Sequence, residues 1–283
     1  MSFDDLSVVV THYQTPSILE KCLERIMRFL PGAEVIVVDS GSDASLELIR
    51  QSFPDVTVFR VRNHSMANTV NEGLKRSTKG FIIQMNADVY IEEATVPVLL
   101  NKLRKSKLGM VGPICKNARG EVQNQGFLYR RYFEILRRTP RKSIRVAWLS
   151  GACMLLKREA LEQVGAMNSS LRFYNEDMEW CWRLQKAGWQ CELVNTSVTH
   201  LGGSSTPRDA RFIVEGYRGG FLLSRWYKPR LYQRLHKQFV LLEASQKRNS
   251  SDSVTRAAFQ EIFLMFQQGT FETSPFGETL DAN

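Results

Sequence analysis

The sequence is short of cysteine, has no glycine-rich phosphate loop and lacks any long apolar run. Its five cysteines, Cys22, Cys115, Cys153, Cys181 and Cys191, are scattered without a CxxC pair. An odd count at wide spacing argues against a disulfide framework and for reduced thiols in a cytoplasmic protein. Most stand among apolar residues, where a free thiol behaves as a small hydrophobe. The turn after the first expected strand reads Thr11-His12-Tyr13-Gln14-Thr15-Pro16. It holds none of the glycines that let a pyrophosphate approach a helix, which argues against a dinucleotide-binding fold. No Gly-Lys-Ser/Thr of the Walker type occurs either. Without a run long enough to span a bilayer, any membrane contact is expected to be peripheral. Asp4 and Asp5 precede every apolar segment, so no signal peptide is expected. No internal repeat is visible.

What is present suits a globular protein with a sizeable core. The 283 residues are 43% hydrophobic and 24% charged, with a formal net charge of +9. That size fits one large domain, or a domain plus an extension. A basic surface suits an anionic partner: nucleic acid, anionic lipid or a phosphate-bearing substrate. Charge alone does not choose among these.

The first third alternates apolar runs with amphipathic stretches. Strands are expected at Leu6 to Val10, Glu34 to Val38, Val56 to Val61 and from Phe81 toward Asp88. Helices are expected after Thr15-Pro16, with Thr15 as N-cap and Pro16 in the first turn, then at about Ala44 to Gln51 and Met66 to Arg76. Leu19, Leu23, Ile26 and Leu30 recur at helical spacing and form one buried stripe. Four such repeats predict an α/β domain with a mostly parallel sheet and right-handed crossovers. Every strand ends in polar residues: Thr11 and Tyr13, Asp39 and Ser42, Arg62 and Asn63, Asn86 and Asp88. In a parallel sheet these clusters share one edge, where open α/β sheets bind their ligands. Asn86 and Asp88 also fit a simple turn closing a strand. A carboxylate delivered by a buried strand can instead hold a hard divalent cation.

The second half is more mixed. A helix is expected from Glu92 to Ser106, bent near Pro97, then a strand from Leu108 to Val111. Tyr129 to Arg145 is rich in arginine and aromatics and reads as exposed, either a solvated loop or a contact for acceptor or membrane. Trp148 to Leu156 returns to buried structure, with helices at Lys157 to Val164 and Asn175 to Ala187. The latter is stopped by Gly188. Two late strands, Trp189 to Val194 and Ser197 to Leu201, carry His200 near their end. From Thr206, basic and aromatic residues interleave between Arg208 and Lys237 in amphipathic helices. Gln246 to Ser253 is a polar linker, Val254 to Gln268 a last helix, and the chain from Thr270 is expected to fray. In Glu176-Asp177, two acids open a helix. They suit the helix dipole, and Asp177 also suits a general base.

These stretches resemble a family 2 glycosyltransferase of the GT-A fold, in its bacterial rhamnosyltransferase-like branch. The carriers, from about Leu6 to Ser205, are Val8-Val9-Val10-Thr11-His12-Tyr13, Ile36-Val37-Val38-Asp39-Ser40-Gly41-Ser42, Asn71-Glu72-Gly73, Asn86-Ala87-Asp88, Trp148-Leu149-Ser150-Gly151-Ala152-Cys153, Asn175-Glu176-Asp177 and His200-Leu201-Gly202-Gly203-Ser204-Ser205. Each is weak alone; their order and spacing are specific. The resemblance implies a Rossmann-like nucleotide-diphospho-sugar transferase domain over 1–205 and a basic, mainly helical extension over 206–283. By it, Thr11, Tyr13 and Asp39 hold the nucleotide, with Ser42, Asn63 and Asn86 beside them, and Gly151 and Ala152 leave room for the donor sugar. Asp88 is the metal-binding end of a DXD-like motif, and His200 adds a metal or diphosphate contact. Asp177 is the catalytic base, and Trp148, Glu176 and Trp180 border the acceptor.

The chain departs from the family pattern at Asn86, in place of the first acid of DXD, at Ser65, in place of Gly, and at Glu179, in place of Asp. The implied reaction is an inverting single displacement assisted by Mg2+ or Mn2+. Its donor is a nucleotide-diphosphate sugar, with rhamnose one candidate, and its acceptor is a saccharide or a polyprenyl-diphosphate-linked sugar. The expected setting is cell-surface polysaccharide synthesis in the cytoplasm, peripheral to the inner face of the membrane, with an anionic membrane surface as a partner and oligomerisation left open. A nucleotidyltransferase on a similar sheet would carry a Gly-rich basic turn after the first strand. A nucleic-acid-binding protein would carry a recognition motif, and none appears. An inactive relative serving as a partner subunit would not need Asp88 and Asp177.

Overall fold

The computed structural model describes residues 2–41, 46–104, 107–123, 125, 142–202 and 208–277. In chain order the elements are β1 (Leu6–His12), α1 (Pro16–Phe29), β2 (Glu34–Asp39), α2 (Leu46–Ser52), β3 (Thr57–Arg60), α3 (Met66–Arg76), β4 (Phe81–Asn86), β5 (Val89–Tyr90), α4 (Thr95–Arg104), β6 (Leu108–Lys116), β7 (Ile144–Arg145), β8 (Cys153–Lys157), α5 (Arg158–Val164), α6 (Glu176–Lys186), β9 (Gln190–His200), α7 (Ala210–Tyr227), α8 (Arg230–Lys247) and α9 (Ser253–Gln268). They fall into two compact units. The first comprises Met1–Asn63, Asn68–Met167 and Trp180–Ser205; the second comprises His64–Ala67, Asn168–Glu179 and Thr206–Asn283. The helices after residue 206 therefore share a unit with two earlier pieces of chain.

The first unit is an α/β fold around one sheet, ordered β3-β2-β1-β4-β8-β6-β9-β5, with β7 also paired to β9. Strands β1 to β4 run parallel, while β8 runs antiparallel to β4 and β6. The Val- and Ile-rich strands are buried on both faces, as parallel strands covered by helices must be. Val8, Val10, Val37, Ile83 and Met85 pack with Leu19, Leu23 and Ile26 of α1 and with Val96, Leu99 and Leu103 of α4. Fully burying each such side chain stabilises by about 1.5–3 kcal/mol. At Gly73 of α3 an added Cβ would stand 2.2 Å from Val9 Cγ1. The glycine therefore sets how closely α3 lies on β1.

Several expectations are corrected. The two late strands are one, β9, whose parallel register with β6 shifts between Leu108 and Met110 and again between Gly112 and Ile114. Pro113 sits between them, where a residue without an N–H suits an irregular ladder. Pro97 need not bend its helix. The helix begins at Thr95, so Pro97 lies in the first turn, where its missing N–H has no intrahelical acceptor anyway. Thr15 precedes α1 but its hydroxyl makes no capping bond. Of the arginine-rich stretch, 129–141 lies outside the described residues, and Ile144–Arg145 pairs with β9.

The second unit packs α7, α8 and α9. Asp209 and Asp252 cap α7 and α9 by accepting from Arg211 N and Thr255 N. Phe221, Phe266 and Phe271 meet with ring centroids 4.5–5.0 Å apart. The chain past Thr270 is ordered through 277: Phe271 and Ser274 are buried. A polar knot holds them. Arg218, 1% exposed, donates twice to Glu215 at 2.8 Å, and also to the carbonyls of Phe271 and Ser170 at 2.9 Å. Glu215 in turn accepts from Arg172 N and Ser274 Oγ. Every partner of this buried ion pair is a hydrogen-bonding group, the condition for tolerating charge in a core.

Candidate functional site

Strand register brings one row of side chains together. His12 pairs with Asp39 across β1 and β2, and Asp39 pairs with Arg60 across β2 and β3. His12 Nε2 accepts from Thr15 N at 3.0 Å, so a neutral ring carries its proton on Nδ1, which donates to Asp39 Oδ1 at 3.0 Å. Gly41 N and Arg60 Nε donate to the same carboxylate, each at 3.0 Å. Burial alone would raise the Asp39 carboxyl, but the donors from His12, Gly41 and Arg60 hold it below the ordinary carboxylate value. One row along, Thr11 Oγ1 donates to Asn86 Oδ1 at 3.2 Å.

Beyond this edge lies a cleft of about 690 Å3 lined by Tyr13, Gln14, Ser40, Gly41, Arg60, Val61, Arg62 and Asn63. Tyr13 and Asn63, the two of these that were singled out for a nucleotide, line it. Asp39 is fully buried and absent from the lining. What it presents there is the Arg60 guanidinium and the Gly41 turn. Gly151 and Ala152 are tied to β4, through Gln84 Nε2 to Gly151 O at 2.9 Å and Asn86 N to Ala152 O at 3.0 Å. Ser42 lies outside the described residues, as do 203–205 of the last motif.

Asp88 and His200 meet because β5 runs antiparallel to β9, with Val89 opposite His200. Asp88 Oδ2 accepts from Gly202 N at 3.0 Å, and Oδ1 stands 3.4 Å from His200 Nε2. On the ring's other side, Nδ1 lies 2.6 Å from Gln123 Oε1, while Gln123 Nε2 donates to the His200 carbonyl at 3.0 Å. That second bond sets the amide orientation. Oε1 can only accept, so the neutral ring's proton sits on Nδ1 and Nε2 turns a lone pair toward Asp88. A hydrogen-bonded far nitrogen is the usual support of a metal-binding imidazole. Two ligands about 2.1 Å from one ion stand roughly 3.0–3.4 Å apart, so the pair fits a divalent cation. Among the described residues no group of three or more His, Cys, Asp or Glu side chains forms a metal cluster.

In the second unit, Tyr174 and Asn175 take left-handed backbone conformations, φ 67° and 69°, a strained choice for residues with side chains. Asn175 Nδ2 donates to Gly216 O at 3.0 Å. At Gly219 an added Cβ would come within 2.8 Å of that amide, so α7 needs its glycine there. Asn175 O accepts from Glu179 N at 2.9 Å, which opens α6. Glu176 follows, 8% exposed, with Oε2 lacking any hydrogen-bond partner. Burial first, then the charges of Asp177 and Glu215, push its carboxyl up to about 8. Asp177 is half-buried, and its Oδ1 accepts from Met178 N at 2.7 Å. Glu179 is buried and accepts from Tyr227 OH at 2.6 Å.

Of the residues expected to border an acceptor, Trp148 is half-buried. Trp180 is corrected: it is 0% exposed, with its indole N–H on Gly165 O at 2.9 Å, so it is a core residue. Among the aromatics between Arg208 and Lys237, Trp226 is exposed while others are drawn into packing within the unit. Phe221 is 6% exposed, and Tyr217 OH donates to Glu243. Sequence reasoning missed Gln123, Arg60, Tyr227 and the Glu215–Arg218 pair. Only for Arg60 was there a signal, its place at the end of an expected strand beside Asp39.

Residues 7–165 match the family model for glycosyl transferase family 2, and residues 120–246 match that for glycosyl transferase family group 2. The chain is 26% identical over 210 residues to a low-salt glycan biosynthesis hexosyltransferase of Haloferax volcanii, covering 68% of this chain and 66% of that one. It is 25% identical over 289 residues to the N-acetylglucosaminyl-diphospho-decaprenol L-rhamnosyltransferase of Mycobacterium tuberculosis, covering 87% and 94%. Among solved structures, GalNAc-T7 with UDP, GalNAc and Mn2+ superposes with a TM-score of 0.63 at 17% identity, over 94% of this chain and 56% of that one. A mannosyltransferase from Pyrobaculum calidifontis with GDP-Man and Mn2+ gives 0.59 at 16%, over 94% and 83%.

Proposed function

The chain belongs to glycosyl transferase family 2, a glycosyltransferase built on the GT-A fold, and on that premise we propose an inverting transfer from a nucleotide-diphosphate sugar to an acceptor hydroxyl. The observation that carries this reading is Asp88 Oδ1 and His200 Nε2 standing 3.4 Å apart with the imidazole tautomer held by Gln123. These two residues would hold a Mg2+ or Mn2+ ion, which supplies charge neutralisation for the diphosphate leaving group. Tyr13, Asn63 and Arg60 receive the base and ribose in the cleft, with Thr11, Asp39 and Asn86 behind or beside them and Gly151-Ala152 next to the sugar. Asp177 takes the proton from the acceptor hydroxyl. That oxygen bonds to the anomeric carbon as the bond to the diphosphate breaks, and the electron pair leaves with the nucleoside diphosphate. Glu176, held mostly protonated at neutral pH, leaves the pair with a single negative charge.

The mycobacterial relative's name supports rhamnose as the first donor to try and a polyprenyl-diphosphate-linked sugar as acceptor. With such an acceptor the enzyme would work at the inner face of the membrane, in cell-surface polysaccharide synthesis. Among the described residues no helix is long and apolar enough to cross a membrane.

Calorimetry of nucleotide sugars with Mn2+, paired with product formation, tests the reading. Asp88→Ala is expected to weaken donor binding and abolish turnover. Asp177→Asn is expected to bind donor as wild type does while turnover falls roughly 10²–10⁴-fold. Full activity in excess chelator would remove the cation from the mechanism. Turnover retained by Asp177→Asn would move the base elsewhere.

A further inference from the structure

We propose that α8 docks the protein on an anionic lipid surface through the outward face formed by Leu231, Leu235, Phe239 and Leu242. These four are 67%, 62%, 66% and 60% exposed, which is far from the inward packing such residues usually find. At 100° per residue they gather within an arc of about 80°. Val240 and Ala244, the buried residues of α8, lie about 160° around the helix from the middle of that arc. A helix apolar on two opposite faces has one for its own core and one left over for something else.

The charges beside the stripe say what that something is. Arg230, Arg234 and Lys237 fall together on one flank, within about 60° of arc. Among the described residues none of them forms an ion pair. The acid on α8, Glu243, is already bound by Lys247 and Tyr217. Trp226, 43% exposed, stands four residues before this flank begins, and tryptophan favours the boundary between lipid and water. A second copy packed on this face would bring unpaired basic flanks into a desolvated contact. Anionic headgroups neutralise them. The stripe, about 17 Å long, suits a helix lying in the interface plane, with aliphatic and aromatic side chains down and basic ones at headgroup level. The docking rests on the transferase reading for its purpose, access to a polyprenyl-linked acceptor, but it can be measured without turnover.

The test uses the full chain and flotation with phosphatidylcholine vesicles, with and without phosphatidylglycerol. The wild type is expected to float with the anionic vesicles and to be released by high salt. Leu235→Ser with Phe239→Ser is expected to weaken binding at least tenfold, and Arg230→Gln with Arg234→Gln and Lys237→Gln roughly a hundredfold. Both sets lie on the surface, so thermal melts should stay as in wild type, and turnover on a short-chain soluble acceptor should persist. Equal flotation with neutral and anionic vesicles overturns the proposal, as does unchanged flotation of the Leu235→Ser, Phe239→Ser protein. So does a wild-type dimer in light scattering that these substitutions dissolve, because a second copy then covers the face. Flotation by a protein inactive with every donor tried would count against the transferase reading while leaving the docking in place.

Discussion

Asp39 and Glu176 are buried to similar depth, 0% and 8% exposed, and the chain treats them in opposite ways. Asp39, at the end of β2, receives Nδ1–H from His12, a backbone N–H from Gly41 and Nε–H from Arg60. Its carboxyl is held low. Glu176, at the start of α6, has an oxygen with no donor, and acids at Asp177 and Glu215 nearby. Its carboxyl is driven up to about 8. Burial disfavours the charged form of both, so the donors decide the direction. The helix N-terminus favours negative charge at Glu176, but it does not offset burial and two like charges. The first carboxylate is a structural anion that aims an arginine. The second is a proton-bearing neighbour of the proposed base, the arrangement in which paired carboxyls divide acid and base roles.

The comparison breaks most severely where the second region loses its cation. Arg218→Met leaves Glu215 buried without its guanidinium, beside an already protonated Glu176. We expect a loss of about 3–5 kcal/mol in denaturant unfolding. Adding Glu215→Leu should recover much of it, since an apolar pair of similar volume replaces the ions. An unchanged midpoint in Arg218→Met would mean that the knot contributes nothing to stability.

Glu176→Gln sharpens the comparison through pH. The folded protein keeps a proton on Glu176 that the unfolded chain has released above an ordinary carboxyl pKa. This group therefore lowers stability progressively as pH rises from about 4.5 toward 8, by order of 3 kcal/mol at pH 7. Asp39 acts in reverse: its contribution is present above the ordinary carboxyl pKa and is lost as pH falls through its lower folded value. Wild type should thus be most stable in mildly acidic solution. Glu176→Gln should be more stable at pH 7 and lose the decline on the alkaline side. A decline equally steep in the variant would show that Glu176 is not its source.

The smallest effect concerns an anchor with no charge at all. Gln123→Leu removes the acceptor for His200 Nδ1–H and the donor to the His200 carbonyl. Mn2+ affinity, read by electron paramagnetic resonance, should fall about 10–100-fold. Nitrogen NMR of the His200 ring without metal should show the proton no longer confined to Nδ1. Unchanged affinity and an unchanged tautomer would make Gln123 a bystander.

Much of the first unit was legible because its signals are local. Alternating apolar runs and helical stripes located β1 to β4, and α3 begins and ends at Met66 and Arg76 as read from the sequence. Polar strand ends foretold a common edge, and the motifs led to the family. The acids of Glu176-Asp177 were visible; the proton on Glu176 was not, because it depends first on burial and then on the charges of Asp177 and of Glu215, some forty residues away. Trp180 reads as a surface aromatic next to acids, but one helical step places it in the core. Of the basic and aromatic pattern between Arg208 and Lys237, the sequence does not show which residues stay outside: Trp226 is exposed, whereas Phe221 is buried. Phe221 packs against Phe266 and Phe271, and the exposed apolar stripe of α8 is Leu231, Leu235, Phe239 and Leu242.

By itself the sequence determined the strands and helices of the first third, the alternation that makes them an α/β sheet, and the chemical types at the strand ends. Those follow from residue periodicity and turn chemistry, which act over a few positions. Only the tertiary structure decided that Asp88 faces His200, that Gln123 selects the ring nitrogen left free, and that Asp39 is an anion while Glu176 holds its proton. These depend on pairing register and on hydrogen-bond partners supplied from 77 residues away, or from neighbouring strands. No local pattern carries that information, because in a buried site the free energy of a charge is set by what surrounds it in space.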